Sequence, residues 1–476
     1  MSRFVRASKY RHVFGTPNKR DQCYDNLKVS RSAWDTNLVK VNSLFISVNI
    51  EAGGGGAFAV IPHANTGKFS EVPQFVGHTS AVLDTDFNPF NDHIVASGSE
   101  DSRVMVWSIP EGGPTANIDT PVLTLNGHGR KVGHVLFHPT ADNVLLSASA
   151  DYTVKLWDIS TGQQKSEFAN VHADLIQGLS FNYNGSLVAT TCKDKKLRVF
   201  DVRTGAVVAE VNGHQGIKGS RVEWMGSYDK FVTTGFSRSS ERQLYVWDFA
   251  NLTSGEPLKS ETIDTASGLL IPKYDADTNV LYVAGKGDGN IRYYEWVDDE
   301  KGLYPLSEYK SSDPLRGIGF LPKRACAINE CEVARIYKVH PTYVEPISMK
   351  VPRKSDTFQA DIFPDTDGPE PALTADEFFS GKNANPKLIS LEKGFVPSIA
   401  ATTFVTTGTV DMSGGGAISP GRVSGTRTPV ATEKELAEQV TVLRKENEDL
   451  KSQVNNKDIR IRQLEAQLEQ LKTSSA

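Results

Sequence analysis

The sequence predicts an all-β fold, a seven-bladed β-propeller, followed by an extension, a linker and a C-terminal α-helix. Two observations carry the propeller. The segments "GSEDSRVMVWS", "SASADYTVKLWD", "TTCKDKKLRVFD", "TGFSRSSERQLYVWD" and "AGKGDGNIRYYE" align with an acidic residue six positions before an aromatic: Asp101 and Trp107, Asp151 and Trp157, Asp194 and Phe200, Glu241 and Trp247, Asp288 and Tyr294. The aromatics are 50, 43, 47 and 47 residues apart, close to the roughly 40 to 45 residues that four short strands and their turns occupy in one blade.

Three repeats open with Gly-His, at Gly77-His78, Gly127-His128 and Gly213-His214, and a fourth has His172 without the glycine. A buried imidazole needs a partner for each ring nitrogen, and a turn Asp and a strand Ser or Thr supply them. His78, His128 and His214 are therefore expected to be structural, in one network with Asp101, Asp151, Trp107, Trp157 and Trp247. Gly-His, turn Asp and terminal Trp-Asp recurring together resemble WD-repeat β-propellers. Fainter units at 53–62 ("GGGGAFAVIP") and 329–339 ("NECEVARIYKV") bring the count to seven blades. Because an open ring leaves an unpaired strand edge, "YRHVFG" (10–15) is expected to complete the last blade, giving a propeller over 1–351.

After Val351 the pattern stops, and 352–395 reads as an extension docked on the propeller. Within it Thr374 and Glu377 form a capping box and Gly381 stops the helix. So short a helix must bury Phe378 and Phe379 against another surface. Residues 396–432 are rich in Gly, Ser, Thr and Pro, a flexible linker spanning about 30 to 35 Å root mean square. Ser419 and Thr428 precede prolines there and are candidate phosphorylation sites that would add negative charge just before the helix.

From 433 to 472 heptads place Val440, Asn447, Val454, Ile461 and Leu468 at a, and Leu436, Leu443, Leu450, Lys457, Leu464 and Leu471 at d, the seam of a coiled coil. A parallel arrangement sets Glu446 against Lys451 and Arg460 against Glu465, with Asn447 fixing register. Val at a with Leu at d favours two copies. The Arg460-Ile461 and Leu464-Glu465 pattern resembles the signature of short trimeric coils, and a parallel homotrimer is the expectation.

Formal net charge is -5, yet residues 1–40 hold nine Lys or Arg against three Asp. That basic end suits an acidic protein surface or an anionic membrane; nucleic acid is not expected as a partner. No run nears the roughly 18 apolar residues of a membrane span, and "MSRFVRASKY" lacks the apolar core of a signal peptide, so a cytoplasmic protein is expected. Four scattered cysteines make no disulfide framework or metal site. Walker, GxSxG and HExxH motifs are absent, and "GKGDGN" lies between strands with no helix after it. No enzyme activity, cofactor or metal is expected.

The whole order, with "KYRHVFG", "VSRSAWD", "EAGGGGAF", "GHTSAVLDTDFNPFNDHIVASGSED", "TTGFSRSSERQL" and "VPRKSDTFQADIFPD", resembles the coronins. The resemblance implies binding to the sides of F-actin through the propeller, filament bundling by oligomers, links to the branched-actin nucleating complex and to cofilin, and a place in the cortical actin cytoskeleton. It assigns actin contact to Arg31 in "VSRSAWD"; charge adds Lys28, Arg20 and Lys19. An Arg31 that merely stacks over Trp34 is the alternative. Some coronins carry an acidic, Trp-containing segment before the coil; here that region is nearly uncharged. A scaffold of the vesicle-coat or ubiquitin-ligase kind is the competing function.

Overall fold

The computed structural model describes residues 6–353 and 357–398. The expectations for the linker, Ser419, Thr428 and the coiled coil from Leu436 to Leu471 lie outside them. Among the described residues six sheets of four antiparallel strands and a seventh of six strands form a seven-bladed β-propeller. In blade 3 the order from the central axis outwards is Val132–Phe137, Val144–Ser149, Val154–Asp158 and Gln163–Phe168.

Burial follows position in the blade. Val144–Ser149 is buried at every residue, and so are Ile94–Ser99 of blade 2 and Val280–Gly285 of blade 6, because these strands are covered on both faces by neighbouring blades. They read as unbroken apolar and small residues rather than as an alternation. The outermost strands, such as Gln163–Phe168 and Val207–Asn212, are mostly exposed.

The ring is closed by the N-terminus. Blade 7 comprises Gly317–Phe320, Glu332–Val339 and Tyr343–Lys350. Its outer position is filled by Phe14–Pro17, paired antiparallel from Phe14 opposite Lys350 to Pro17 opposite Ile347, and then by Tyr24–Asp25. The pairing begins later than the "YRHVFG" expectation placed it: Tyr10 and Val13 are spent on core packing, and Tyr293 donates its hydroxyl hydrogen to the Val13 carbonyl at 2.7 Å. Strand 332–339 likewise runs two residues past Tyr337.

Three inner strands share one irregularity. Register shifts after Val82, Val132 and Ile176 mark Leu83, Gly133 and Gln177 as bulged residues near the start of blades 2, 3 and 4. A bulge removes a carbonyl from its ladder, and a buried carbonyl needs another donor. The seven inner strands enclose a channel of about 280 Å³ crossed by Lys40–Asp86 (3.2 Å) and Lys273–Glu223 (2.7 Å) ion pairs.

The extension packs on the loops that join first to second strands. Leu373 bridges to Ala141, Arg324 donates to the carbonyls of Asp367 (3.3 Å) and Pro89 (3.2 Å), and Thr366 donates to Asp277 at 2.7 Å. Helix Ala375–Phe379 has the Thr374–Glu377 capping box. Phe378 is fully buried, its ring 4.3 Å from that of His138 and covered by the Arg203 guanidinium at 4.0 Å. Phe379 is only partly buried, beside Lys165.

Phe378→Ala is expected to destabilise the chain by about 3 to 5 kcal/mol and to expose 357–398 to limited proteolysis before the blades unfold. Urea unfolding and the order of proteolytic cuts check it.

Candidate functional site

The repeat's polar residues knit adjacent blades. Asp101 accepts from His78 Nδ1–H at 2.9 Å, so Nε2 is the acceptor of the Ser97 hydroxyl at 2.8 Å, and Ser97 Oγ accepts from Trp107 Nε1–H at 2.8 Å. His128, Asp151, Ser147 and Trp157 repeat the relay at 3.0, 2.8 and 2.8 Å. Hydrogen bonding to the imidazoles lies against the cost of burial and leaves the Asp101 and Asp151 carboxyls below their ordinary range.

The next two blades depart from this scheme. His214 Nε2 meets Thr233, which also accepts from Trp247 at 2.8 Å, but Nδ1 has no partner. Glu241 bonds Ser237 and Ser239 instead, so the turn acid expected for His214 is missing. His172 Nδ1 is similarly unpaired, because Asp194 goes to Arg198 at 2.8 Å. Arginine takes over the cross-linking: Arg242, only 1% exposed, binds Asp264 (2.6 Å) and Asp288 (2.7 Å).

The imidazoles, the indoles, the strand hydroxyls and Arg242 are buried inside the wall of the ring, so the surface that can meet a partner is elsewhere. From Tyr24–Asp25 the chain climbs beside blade 1, where Val29 bridges to Ile50, and residues 31–37 cross the mouth of the channel as a strap. Two of the bulge carbonyls hold it. Thr36 Oγ1 donates to Leu83 O at 2.7 Å, and Trp34 Nε1 donates to Gly133 O at 3.0 Å. Asp35 pairs with Lys286 at 2.6 Å on the far side. Only glycine fits at 133, because a Cβ there would lie 2.1 Å from the Trp34 ring.

Arg31 stands on this strap with its side chain 79% exposed and forms a two-pronged bond to Glu51, 2.6 and 2.9 Å. The guanidinium holds the Glu51 carboxyl below its usual value. Arg31 does not stack on Trp34; Lys131 does, at 4.7 Å. Lys28 is exposed beside the same pair, its carbonyl accepting from Glu51 N at 2.7 Å. Arg20 is on the outer edge of blade 7, bonded to Asp25 at 2.6 Å and stacked 3.5 Å over Tyr343, and Lys19 precedes it, exposed. The structure thus groups Arg31 with Lys28 and leaves Arg20 and Lys19 as a separate outer pair. Lys131 and Lys286, 97 and 251 residues from the Trp34 and Asp35 they meet, join the strap; Lys131 carries no local motif, and the "GKGDGN" around Lys286 did not point to the strap.

Among the described residues no cluster of His, Cys, Asp and Glu is arranged to hold a metal, the four cysteines are free and buried, and no helix is long and apolar enough to cross a membrane.

Comparison with known proteins agrees with this architecture. The WD domain, G-beta repeat, matches residues 69–108, 119–158 and 163–201, and a type of WD40 repeat matches 344–386. Coronin-A of Dictyostelium discoideum is 50% identical over 464 residues, spanning 98% of this chain and 100% of that protein. The chain belongs to the coronin family. Coronin-like protein crn1 of Schizosaccharomyces pombe is 47% identical over 419 residues, 85% of this chain and 68% of its own length. The solved WD40 domain of Toxoplasma gondii coronin superposes with a TM-score of 0.75 at 31% identity, covering 80% of this chain and 97% of that one. A domain of unknown function (DUF1899) matches residues 3–68; in this coronin the stretch holds the closing strand, the strap and the first three strands of blade 1.

Two predictions follow from this geometry. Gly133→Ala drives a methyl group into Trp34 and should cost about 1 to 3 kcal/mol, read as a lowered thermal midpoint with faster proteolysis near residues 31–37. Burial pushes His134 and His138 down to about 3 and His63, His172 and His214 down to about 4. Unfolded histidine takes its proton near pH 6.5, so below that the unfolded state binds more protons and stability falls. The slope is on the order of 1.4 kcal/mol per pH unit for each histidine, until its folded value is reached. Asp84, raised by burial to about 6, and Asp277, also raised by burial, each oppose with one proton, and Asp92, Asp142 and Asp367 are raised in the same direction. Asp101 and Asp151 add to the loss only in stronger acid. The five histidines outweigh the opposing carboxyls over most of this range. Urea midpoints from about pH 7 down to about pH 4.5 should therefore drop steadily.

Proposed function

We propose that this coronin binds the sides of actin filaments through the strapped face, with Arg31 as its principal charged contact. One observation carries the choice of residue: among the described residues Arg31 is held only by Glu51, itself 45% exposed. Exchanging that carboxylate for one on a partner breaks no buried contact, and an exposed pair of this kind has little stability of its own to lose. A guanidinium offers paired donors to the incoming carboxylate. Lys28 adds positive charge alongside. Arg20 contributes less, since Asp25 and Tyr343 already occupy it.

The same reading makes residues 433–472 the device that joins copies, three by expectation, so that a modest contact becomes filament bundling through effective concentration. Effects on the branched-actin nucleating complex and on cofilin belong to it as well, as does a cortical location. The protein acts by binding and not by catalysis.

Co-sedimentation with F-actin tests it. Arg31→Asp is expected to raise the dissociation constant about tenfold or more with an unchanged thermal midpoint, and a chain ending at Phe395 to bind single filaments without bundling them. An Arg31→Asp curve that overlays the wild type removes the assignment. A wild-type chain that stays in the supernatant favours the scaffold reading.

A further inference from the structure

Beside the strap, on the outward side, is a second depression of about 190 Å³. Trp34, Leu175, Ile176 and Leu269 supply its apolar walls, drawn from the strap and from the approaches to blades 4 and 6. Ile217, two residues before Gly219 of the same lining, is 82% exposed, more than any other large apolar side chain of the described blades. A lone exposed isoleucine needs no explanation. One beside an apolar hollow widens it into a patch.

The surroundings carry an excess of cations. Lys218 donates to the Ser267 carbonyl at 3.3 Å and has no carboxylate partner among the described residues. Lys131 lies over Trp34 and is 4.0 Å from Glu100, and Lys193, whose amide bonds Leu175 O, is 3.9 Å from Asp174. Both are at the outer limit of an ion pair, so their ammonium groups are open to a better partner. Lys286 alone is tightly paired, with Asp35.

We propose that this depression receives one apolar side chain from a protein segment flanked by carboxylates, with Ile217 extending the apolar contact and Lys218 and Lys131 receiving the carboxylates. The inference rests on the filament reading above in one respect, that the segment belongs to the filament. Trp34 is three residues from Arg31, so a partner whose carboxylate meets Arg31 reaches the hollow within roughly 10 Å. A buried apolar anchor with a charged rim is the arrangement in which the centre supplies affinity and the rim supplies rate and orientation. Arg31 is then a rim contact and the hollow the anchor.

The test uses the full chain, with Ile217→Asp and Lys218→Glu beside Arg31→Asp, in F-actin co-sedimentation and in fluorescence anisotropy with a fluorescein-labelled Glu-Asp-Leu-Asp-Glu peptide. Ile217→Asp is expected to weaken filament binding about tenfold at the wild-type thermal midpoint, and to abolish peptide binding. Lys218→Glu should weaken both, with a shallower dependence on salt. Pelleting that Arg31→Asp impairs and Ile217→Asp leaves at the wild-type level overturns the depression while the filament reading stands. If the wild type does not pellet, the filament reading falls and the peptide decides: binding lost in Ile217→Asp supports the depression, and no binding by the wild type overturns it.

Discussion

The last blade of this propeller is completed only when the two ends of the ring meet in it, and this requirement shapes the rest of the molecule. Tyr343–Lys350 exposes its outer edge until Phe14–Pro17 pairs with it. The fit is close: a Cβ on Gly15 would come within 2.7 Å of the Tyr309 ring. Having closed the ring at its rim, the chain must travel inward to begin the innermost strand of blade 1 at Val39. The only route leads across one face. The strap, and with it Arg31, stands where it does because closure puts residue 17 at the periphery and residue 39 at the axis.

The route is secured by a second consequence of propeller geometry. Three of the inner strands that converge on the channel, those of blades 2, 3 and 4, are bulged near their starts, and each bulge releases a carbonyl that the ladder no longer uses. Leu83 and Gly133 give theirs to Thr36 and Trp34, while Gln177 gives its own to Arg221. An irregularity that would cost free energy in an isolated sheet is satisfied by the segment passing over it. On the opposite face the extension packs Phe378, Ile362 and Phe363 onto the blades and leaves a depression of about 370 Å³ between Pro89, Pro139, Asp275, Arg324, Thr366 and Lys387.

Blade-to-blade cross-links change in kind around the ring. Between blades 1 and 3 the His–Asp–Ser–Trp relay satisfies every polar atom it buries. In blades 4 to 6, Arg198 and Arg242 draw the carboxylates away, and His214 is kept by packing, its ring 4.1 Å from that of Tyr245 and nearly parallel to it. Buried ion pairs stabilise little in net terms but are costly to leave half-made. Arg242 with Asp264 and Asp288 therefore fixes which blades are neighbours more than it deepens the folded state.

The repeat was legible because it is local chemistry: a turn acid, a strand hydroxyl and an aromatic at fixed spacing dictate a blade whatever surrounds it. The capping box at Thr374 and Glu377 was legible for the same reason, and so was the basic character of residues 1–40. Spacing did not show that Glu241 would bond Ser237 and Ser239 in place of His214, or that Arg242 would meet carboxylates 22 and 46 residues further on. Nor could it say that Lys131, and not Arg31, would cover Trp34, or that Trp34 would line one hollow with Leu175 and Leu269. Spacing along the chain encodes the strands that make each blade. Which side chains share a face is decided only when seven blades close into a ring and carry distant loops to one mouth.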